Sequence, residues 1–283
     1  MPPIEANEAR MVTELVRSLC GVELGPTKGY LIESRLASLL SEYGLDGYEA
    51  LCHRARQIAE HSLRTAIVDR ITTHETLFFR DKTTFDALQY KVLPAIFDEK
   101  ASAGSRHLRV WSAACSTGQE PYSVAMILLE LLGPSANSWN IEIVATDISE
   151  PAVQKASSGR FQSHELTRSS IQGLVERYSD ACDDGRQMRK ALRDMCRFQV
   201  LDLQRDFSLL GSFDLILCRN VLIYFDAALR KDILYRIAQR LLPTGRFFVG
   251  STENLLDCSN LFSREEHCGA SVHRLASLGA TPR

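Results

Sequence analysis

Beyond residue 106, short apolar runs alternate with segments of helical period, and few architectures accept that alternation. LRVWSAA (108–114), IEIVATDI (141–148), RFQVLDL (197–203), FDLILCRN (213–220) and RFFVGST (246–252) read as buried strands. They are short, largely apolar and bounded by turn or polar residues. Between them QEPYSVAMILLELLG (119–133) and DAALRKDILYRIAQRLLP (226–243) carry helical period. Such a chain builds a parallel sheet covered by helices on both faces. The tail LFSREEHCGASVHRLAS (261–277) can add an antiparallel edge hairpin. A helix over 81–100 and a polar linker, ASAGSRH, precede the first strand.

Residues 1–73 have a different texture. Met11, Val12, Leu15, Val16 and Leu19 recur at helical spacing, with Gly21 as a stop. Thr27 can cap a second helix that Gly44 ends, and Asp46 and Ser62 can cap a third and a fourth. This all-helical domain holds no nucleophile–base constellation, which points to docking or covering. A third texture, polar with short apolar segments around CDDG, marks residues 160–197 as an insertion with its own small hairpin.

Composition excludes several classes. Of 283 residues 45% are apolar and 24% charged, which suits a folded globular chain. A net charge of -2 argues against charge-driven nucleic-acid binding. No apolar run reaches transmembrane length, and MPPIEANEAR lacks the apolar core of a secretory signal. The eight cysteines form no CxxC pair, so buried reduced thiols in the cytoplasm are expected, with neither a disulfide framework nor a metal site.

An open parallel sheet binds ligands beyond the carboxyl ends of its strands. The first strand here runs into small residues, Ala113 to Gly118, which let a ligand approach the backbone, and Glu120 and Pro121 then open a helix. Glu120 would repel a pyrophosphate and welcome a cation. Asp147, at the second strand's end, suits two ribose hydroxyls, although capping the next helix would also explain it. Asp202 and the backbone of Leu203 face an adenine edge. Arg219, Asn220 and Tyr224 follow the fourth strand, where Asn220 also suits a plain turn and Tyr224 a packed aromatic. Arg80 could simply pair with Asp81 or another surface acid. Taken together, these strand ends point to a positively charged nucleoside cofactor, S-adenosylmethionine.

TTHETLFFRD (72–81), VWSAACSTGQEPYS (110–123), IVATDIS (143–149), FDLILCRNVLIYFD (213–226) and FFVGSTENL (247–255) together resemble the chemotaxis receptor glutamate methyltransferases, the CheR family. The resemblance covers nearly the whole chain. It implies a helical domain over 1–73 and a class I, Rossmann-like methyltransferase domain over 74–283 with a β-subdomain inserted at 160–197. It implies methyl transfer from S-adenosylmethionine to receptor glutamates, giving γ-methyl esters in sensory adaptation. The family's cofactor contacts fall on His74, Thr76, Arg80, Glu120, Asp147, Asp202, Leu203, Asn220 and Val221. Arg80 and Tyr224 match the two side chains nearest the transferred methyl.

His74 and Asp202 stand where asparagine is usual in the family, and both can still hydrogen-bond. The helix matching the family's arginine-rich docking helix reads ESRLASLLSEYG (33–44), with Lys28 and Arg35 as its remaining basic residues, on a face that reads as solvated. The expected partners are methyl-accepting chemotaxis receptors and a regulatory signalling protein, for a cytoplasmic monomer that uses no metal and inserts in no membrane. The short connection YSDACDDGRQMRK (178–190) implies independence from a receptor C-terminal peptide tether. Two other readings stay open: a methyltransferase of the same fold with another acceptor, and a cofactor-bound adaptor without turnover.

Overall fold

The computed structural model describes residues 4–25, 28–166 and 172–276. Four helices come first: α1 (Ala6–Cys20), α2 (Gly29–Glu42), α3 (Tyr48–Ala55) and α4 (His61–Ile71). Their apolar stripes meet in a core built on Val12, Val16, Leu36, Leu39, Leu51, Leu63 and Ile67. Gly21, with φ 73°, closes α1 as expected. Thr27 lies outside the described residues. The expected caps at Asp46 and Ser62 do not form: Gly47 precedes α3 and Glu60 precedes α4, neither with a side-chain cap. The carboxylate of Glu60 is taken by Arg54, whose Nε lies 2.8 Å away.

Arg35 is also not the solvated residue the sequence suggested. Its guanidinium turns inward and donates to the carbonyls of Ile71 (2.5 Å) and Thr72 (3.2 Å) and to the Thr73 hydroxyl. A cation satisfying the last carbonyls of a helix complements the dipole there. The end of α4 left those carbonyls open, and Arg35 is close enough to fill them.

The helix read over 81–100 is one rod in three pieces, α5 (Lys82–Ala87), a π turn (Leu88–Val92) and α6 (Leu93–Ser102). Pro94 has no N–H and its ring crowds the carbonyl four residues back, so a local widening of the helix relieves both problems.

The sheet follows. In chain order come β1 (His107–Ala113), α7 (Gln119–Leu132), β2 (Asn140–Asp147) and α8 (Glu150–Ser158). The inserted segment holds β3 (Arg160–Gln162), α9 (Ser163–Leu166), α10 (Gln172–Arg177), β4 (Ser179–Cys182), β5 (Gly185–Met188) and α11 (Lys190–Met195). Then β6 (Cys196–Val200), β7 (Phe213–Cys218), α12 (Ala227–Ala238), β8 (Leu241–Phe248), β9 (Phe262–His267) and β10 (Ala270–Leu275) complete the chain. The spatial order is β6-β2-β1-β7-β8-β10-β9, parallel from β6 through β8, with β10 and β9 antiparallel. Leu215 and Leu217 of β7 face the core under α5–α7, and Ile216 and Cys218 face the core under α12.

One strand differs from its reading. β6 was expected to be buried, yet only Cys196 is, because β6 forms the sheet's edge and stops at Val200. Its apolar residues flank a single neighbour. The insertion makes a separate antiparallel sheet, β3-β5-β4. Gly185 is required at the start of β5, where it passes β3, since a Cβ there would lie 2.0 Å from the Phe161 carbonyl oxygen. Phe161 itself packs edge-on against Phe78, anchoring the insertion to the main core. No helix of the described residues is long and apolar enough to cross a membrane.

Candidate active site

β1 is the point where the chain order reverses, with β2 on one side and β7 on the other. Connections part there, which opens a crevice above the carboxyl ends of the strands. The helical domain and the strap 72–81 roof it. The result is a cavity of about 1000 Å³, open mouth included. Cys20, Val22 and Ile71 line it from the helical domain, and His74, Thr76 and Arg80 from the strap. Glu120, Asp147, Asp202, Leu203, Asn220, Val221 and Tyr224 line it from the strand ends. All ten residues singled out in the sequence therefore share one cavity.

The turn after β1 is shaped by positive φ at Ala114 (58°) and Ser116 (51°). It delivers the Ser116 N–H to Asp147, whose second oxygen accepts from Ser149 N–H. Ser149, not Asp147, caps α8, because its hydroxyl oxygen accepts from Ala152 N–H. That removes the capping explanation for Asp147. Burial pushes the Asp147 carboxyl above the ordinary carboxylate range, opposed by those two main-chain donors. Asp202 is likewise raised by burial, and its carboxylate is fixed by Gln204 N–H at 2.8 Å.

The ring of His74 turns to the helical domain. Its Nε2 lies 3.3 Å from a carboxylate oxygen of Asp69 and 3.1 Å from the Thr72 hydroxyl. Asp69 also accepts from the Ser149 hydroxyl at 2.5 Å, so one α4 carboxylate joins the strap to the start of α8. Neither this role of Asp69 nor its partners were visible in local sequence.

Arg80 is half-buried between two left-handed residues, Phe79 (φ 54°) and Asp81 (φ 65°). Phe79 N–H donates to the Ser123 hydroxyl, and Arg80 Nη1 donates to the Glu75 carbonyl at 2.9 Å. Asp81 does not pair with Arg80. It pairs with Arg219, whose Nη2 donates to the Asp81 carboxylate (2.7 Å) and to the Arg80 carbonyl (2.9 Å). The other terminal nitrogen of Arg219 donates to Glu120 at 2.8 Å, and Ser112 donates to the second Glu120 oxygen. The Arg219 side chain is 2% exposed. A buried cation needs partners, so an arginine ending the apolar strand FDLILC was the available signal for this clamp. Cys115 also lines the cavity, but burial raises its thiol well above normal, so it is no thiolate nucleophile. Among the described residues no group of three or more His, Cys, Asp or Glu is placed to hold a metal.

Residues 7–72 match the family model described as the CheR methyltransferase all-alpha domain, and residues 74–268 the CheR methyltransferase SAM-binding domain. The chain belongs to the CheR methyltransferase family. It is similar to chemotaxis protein methyltransferase 1 of Pseudomonas aeruginosa, 41% identical over 83% of this chain and 86% of that one. It is 39% identical to chemotaxis protein methyltransferase Cher2 of Pseudomonas putida over the same shares. Chemotaxis protein methyltransferase 1 of Vibrio cholerae is 35% identical over 92% of this chain and 93% of its own. As a CheR member the chain is an S-adenosylmethionine-dependent methyltransferase of chemotaxis. The donor set fits that cofactor. Asp147 and Glu120 keep unfilled acceptor positions beside the bonds just described. The anionic lining of Glu75, Glu120, Asp147 and Asp202 outweighs Arg80 and Arg219, which suits a ligand with sulfonium and ammonium groups.

Proposed function

We propose that Arg80 holds the γ-carboxylate of a receptor glutamate over the cavity mouth while Tyr224 orients the reacting groups. The observation that carries this reading is that both line the one cavity walled by Glu120 and Asp147. Bound S-adenosylmethionine supplies an electrophilic methyl group. A glutamate is already ionised at neutral pH, so the chain needs neither a general base nor a metal to activate it. Its residues act by placement in a site largely free of water.

Removing a carboxylate from water is costly unless a cation receives it. One of the five N–H donors of Arg80 is spent on Glu75, which leaves the rest of the planar fork for a two-pronged contact. Asp147 holds the ribose, Glu120 the ammonium, and Asp202 with the Leu203 backbone the adenine edge. His74, Thr76, Asn220 and Val221 complete the contacts. The enzyme works in this reading as a cytoplasmic monomer on methyl-accepting receptors, with a signalling protein as regulator. It does so without gripping a receptor C-terminal peptide, since the β4–β5 hairpin turns over only Asp183 and Asp184.

Methyl-labelled cofactor and chemoreceptor-containing membranes test the reading. Base-labile label is expected on the receptor, and Arg80→Lys is expected to lower kcat by about 100-fold. Absence of label from a protein that binds S-adenosylhomocysteine would overturn it. Calorimetry with a receptor C-terminal peptide is expected to show no tight binding.

A further inference from the structure

The segment after β8, GSTENL, contributes a carboxylate that touches neither cofactor nor acceptor in the reading above. Glu253 accepts four main-chain hydrogen bonds. One oxygen takes the N–H groups of Gly250 (2.6 Å) and Asn220 (2.8 Å), and the other those of Val221 (3.0 Å) and Ile223 (3.3 Å). Three of these donors belong to the turn that carries Asn220, Val221 and Tyr224 into the cavity. The turn needs such a hold, because Asn220 sits in the left-handed region at φ 59°. A non-glycine residue there stores strain that its surroundings must over-determine. Position 250 has room only for glycine, since a Cβ would lie 2.7 Å from Asn220 Nδ2 and 2.9 Å from Asn220 N.

We infer that Glu253 is a positioning residue for methyl transfer, fixing the 220–224 turn so that Tyr224 and the cofactor-lining backbone are presented together. The inference rests on the proposed roles of Tyr224 and the cavity. Charge and symmetry both matter here. A carboxylate offers two acceptor oxygens to four donors, whereas a glutamine would aim its NH₂ group at N–H groups and repel them.

The experiment compares Glu253→Gln, Tyr224→Phe and the double variant by kcat at saturating cofactor, with S-adenosylhomocysteine affinity from calorimetry on each. Glu253→Gln is expected to lower kcat by about 10- to 100-fold. In the Tyr224→Phe background the same change is expected to cost several-fold less, because the group it positions is already gone. Losses that multiply in full, or a wild-type kcat in Glu253→Gln, would overturn the inference. Should Glu253→Gln fail to fold, Glu253→Asp keeps the charge with a shorter reach, and the same cycle is run with it. If the wild-type chain labels no receptor, the functional reading has failed and the product affinity decides instead. Weakened binding in the variant supports the hold on the turn, and unchanged binding overturns it.

Discussion

The main-chain nitrogen of Glu23 donates to the main-chain oxygen of Tyr224 across 2.8 Å. Beside it Val22 pairs with Phe225 as an antiparallel bridge, and Arg17 forms an ion pair with Asp226. The helical domain thus grips the Tyr224 turn through contacts separate from those of Glu253. These contacts differ in weight. Arg17 is mostly exposed, and such pairs add little to stability, whereas the main-chain bond fixes a backbone position. Glu23→Pro, which removes the donor, is expected to lower kcat by about tenfold. Arg17→Ala should leave both kcat and the melting midpoint close to wild type. Initial rates and thermal melts on the two variants check the contrast.

Arg219 bridges two carboxylates and a carbonyl from a position almost sealed from solvent. Removing one member of such a group strands the others. Arg219→Ala is expected to cost about 3–5 kcal/mol of folding stability, read by denaturant unfolding. Arg219→Lys keeps the charge but has a single nitrogen, which cannot reach Glu120 together with the Asp81 carboxylate and the Arg80 carbonyl. It should fold, and bind S-adenosylhomocysteine about tenfold more weakly.

Proton linkage gives opposite signs for stability and for binding. Burial raises the carboxyls of Asp147 and Asp202 above 3.8. The folded ligand-free protein therefore holds these protons more tightly than the unfolded chain. This contribution favours folding at acid pH and is lost as pH rises from 3.8 through the raised folded values. In the proposed role of Asp147 an ionised carboxylate accepts from two ribose hydroxyls more strongly than a neutral carboxyl does, so product affinity should instead weaken as pH falls through its raised value. Asp147→Asn is expected to bind weakly with a flattened pH profile. Asp202→Asn, which keeps an acceptor carbonyl, should bind close to wild type at neutral pH. Calorimetry from about pH 4.5 to about pH 7.5 separates them.

Arg35 spends its guanidinium on the end of α4 and on Thr73, next to His74 of the cavity wall. Arg35→Ala is therefore expected to cost about 1–3 kcal/mol of stability and to loosen product binding. The dependence of receptor methylation on ionic strength should stay as in wild type. A change in that salt dependence would instead mark Arg35 as a docking charge.

How far the sequence carried depended on whether a residue's partners are near it in the chain. β1, β2, β7 and β8 were legible because apolar runs report burial directly. β6 was misjudged since Phe198 and Val200 look the same on a sheet's edge as in its middle. Asp147 and Tyr224 were legible from their places at and after the ends of β2 and β7, Glu120 from its place in the first turn of α7, and the resemblance supplied Arg80. The clamps were legible at most as one odd residue, Arg219 ending an apolar strand, and their partners were not. Arg219 and Glu120 are 99 residues apart, Asp69 and Ser149 80, and Glu253 and Asn220 33. No periodicity joins such pairs; only the folded backbone does. Asp46 and Ser62 failed as caps because Asp46 lies one residue before the cap position of α3 and Ser62 two residues after that of α4, so neither side chain stands where a cap must.

The seam that Cys20, Val22 and Ile71 share with the strand ends has an evolutionary corollary. A helical domain borrowed from a relative would bring its own version of that stretch of the binding wall, so the two units are expected to be inherited as a matched set. Divergence in one is expected to leave a compensating trace in the other, at the positions flanking that seam.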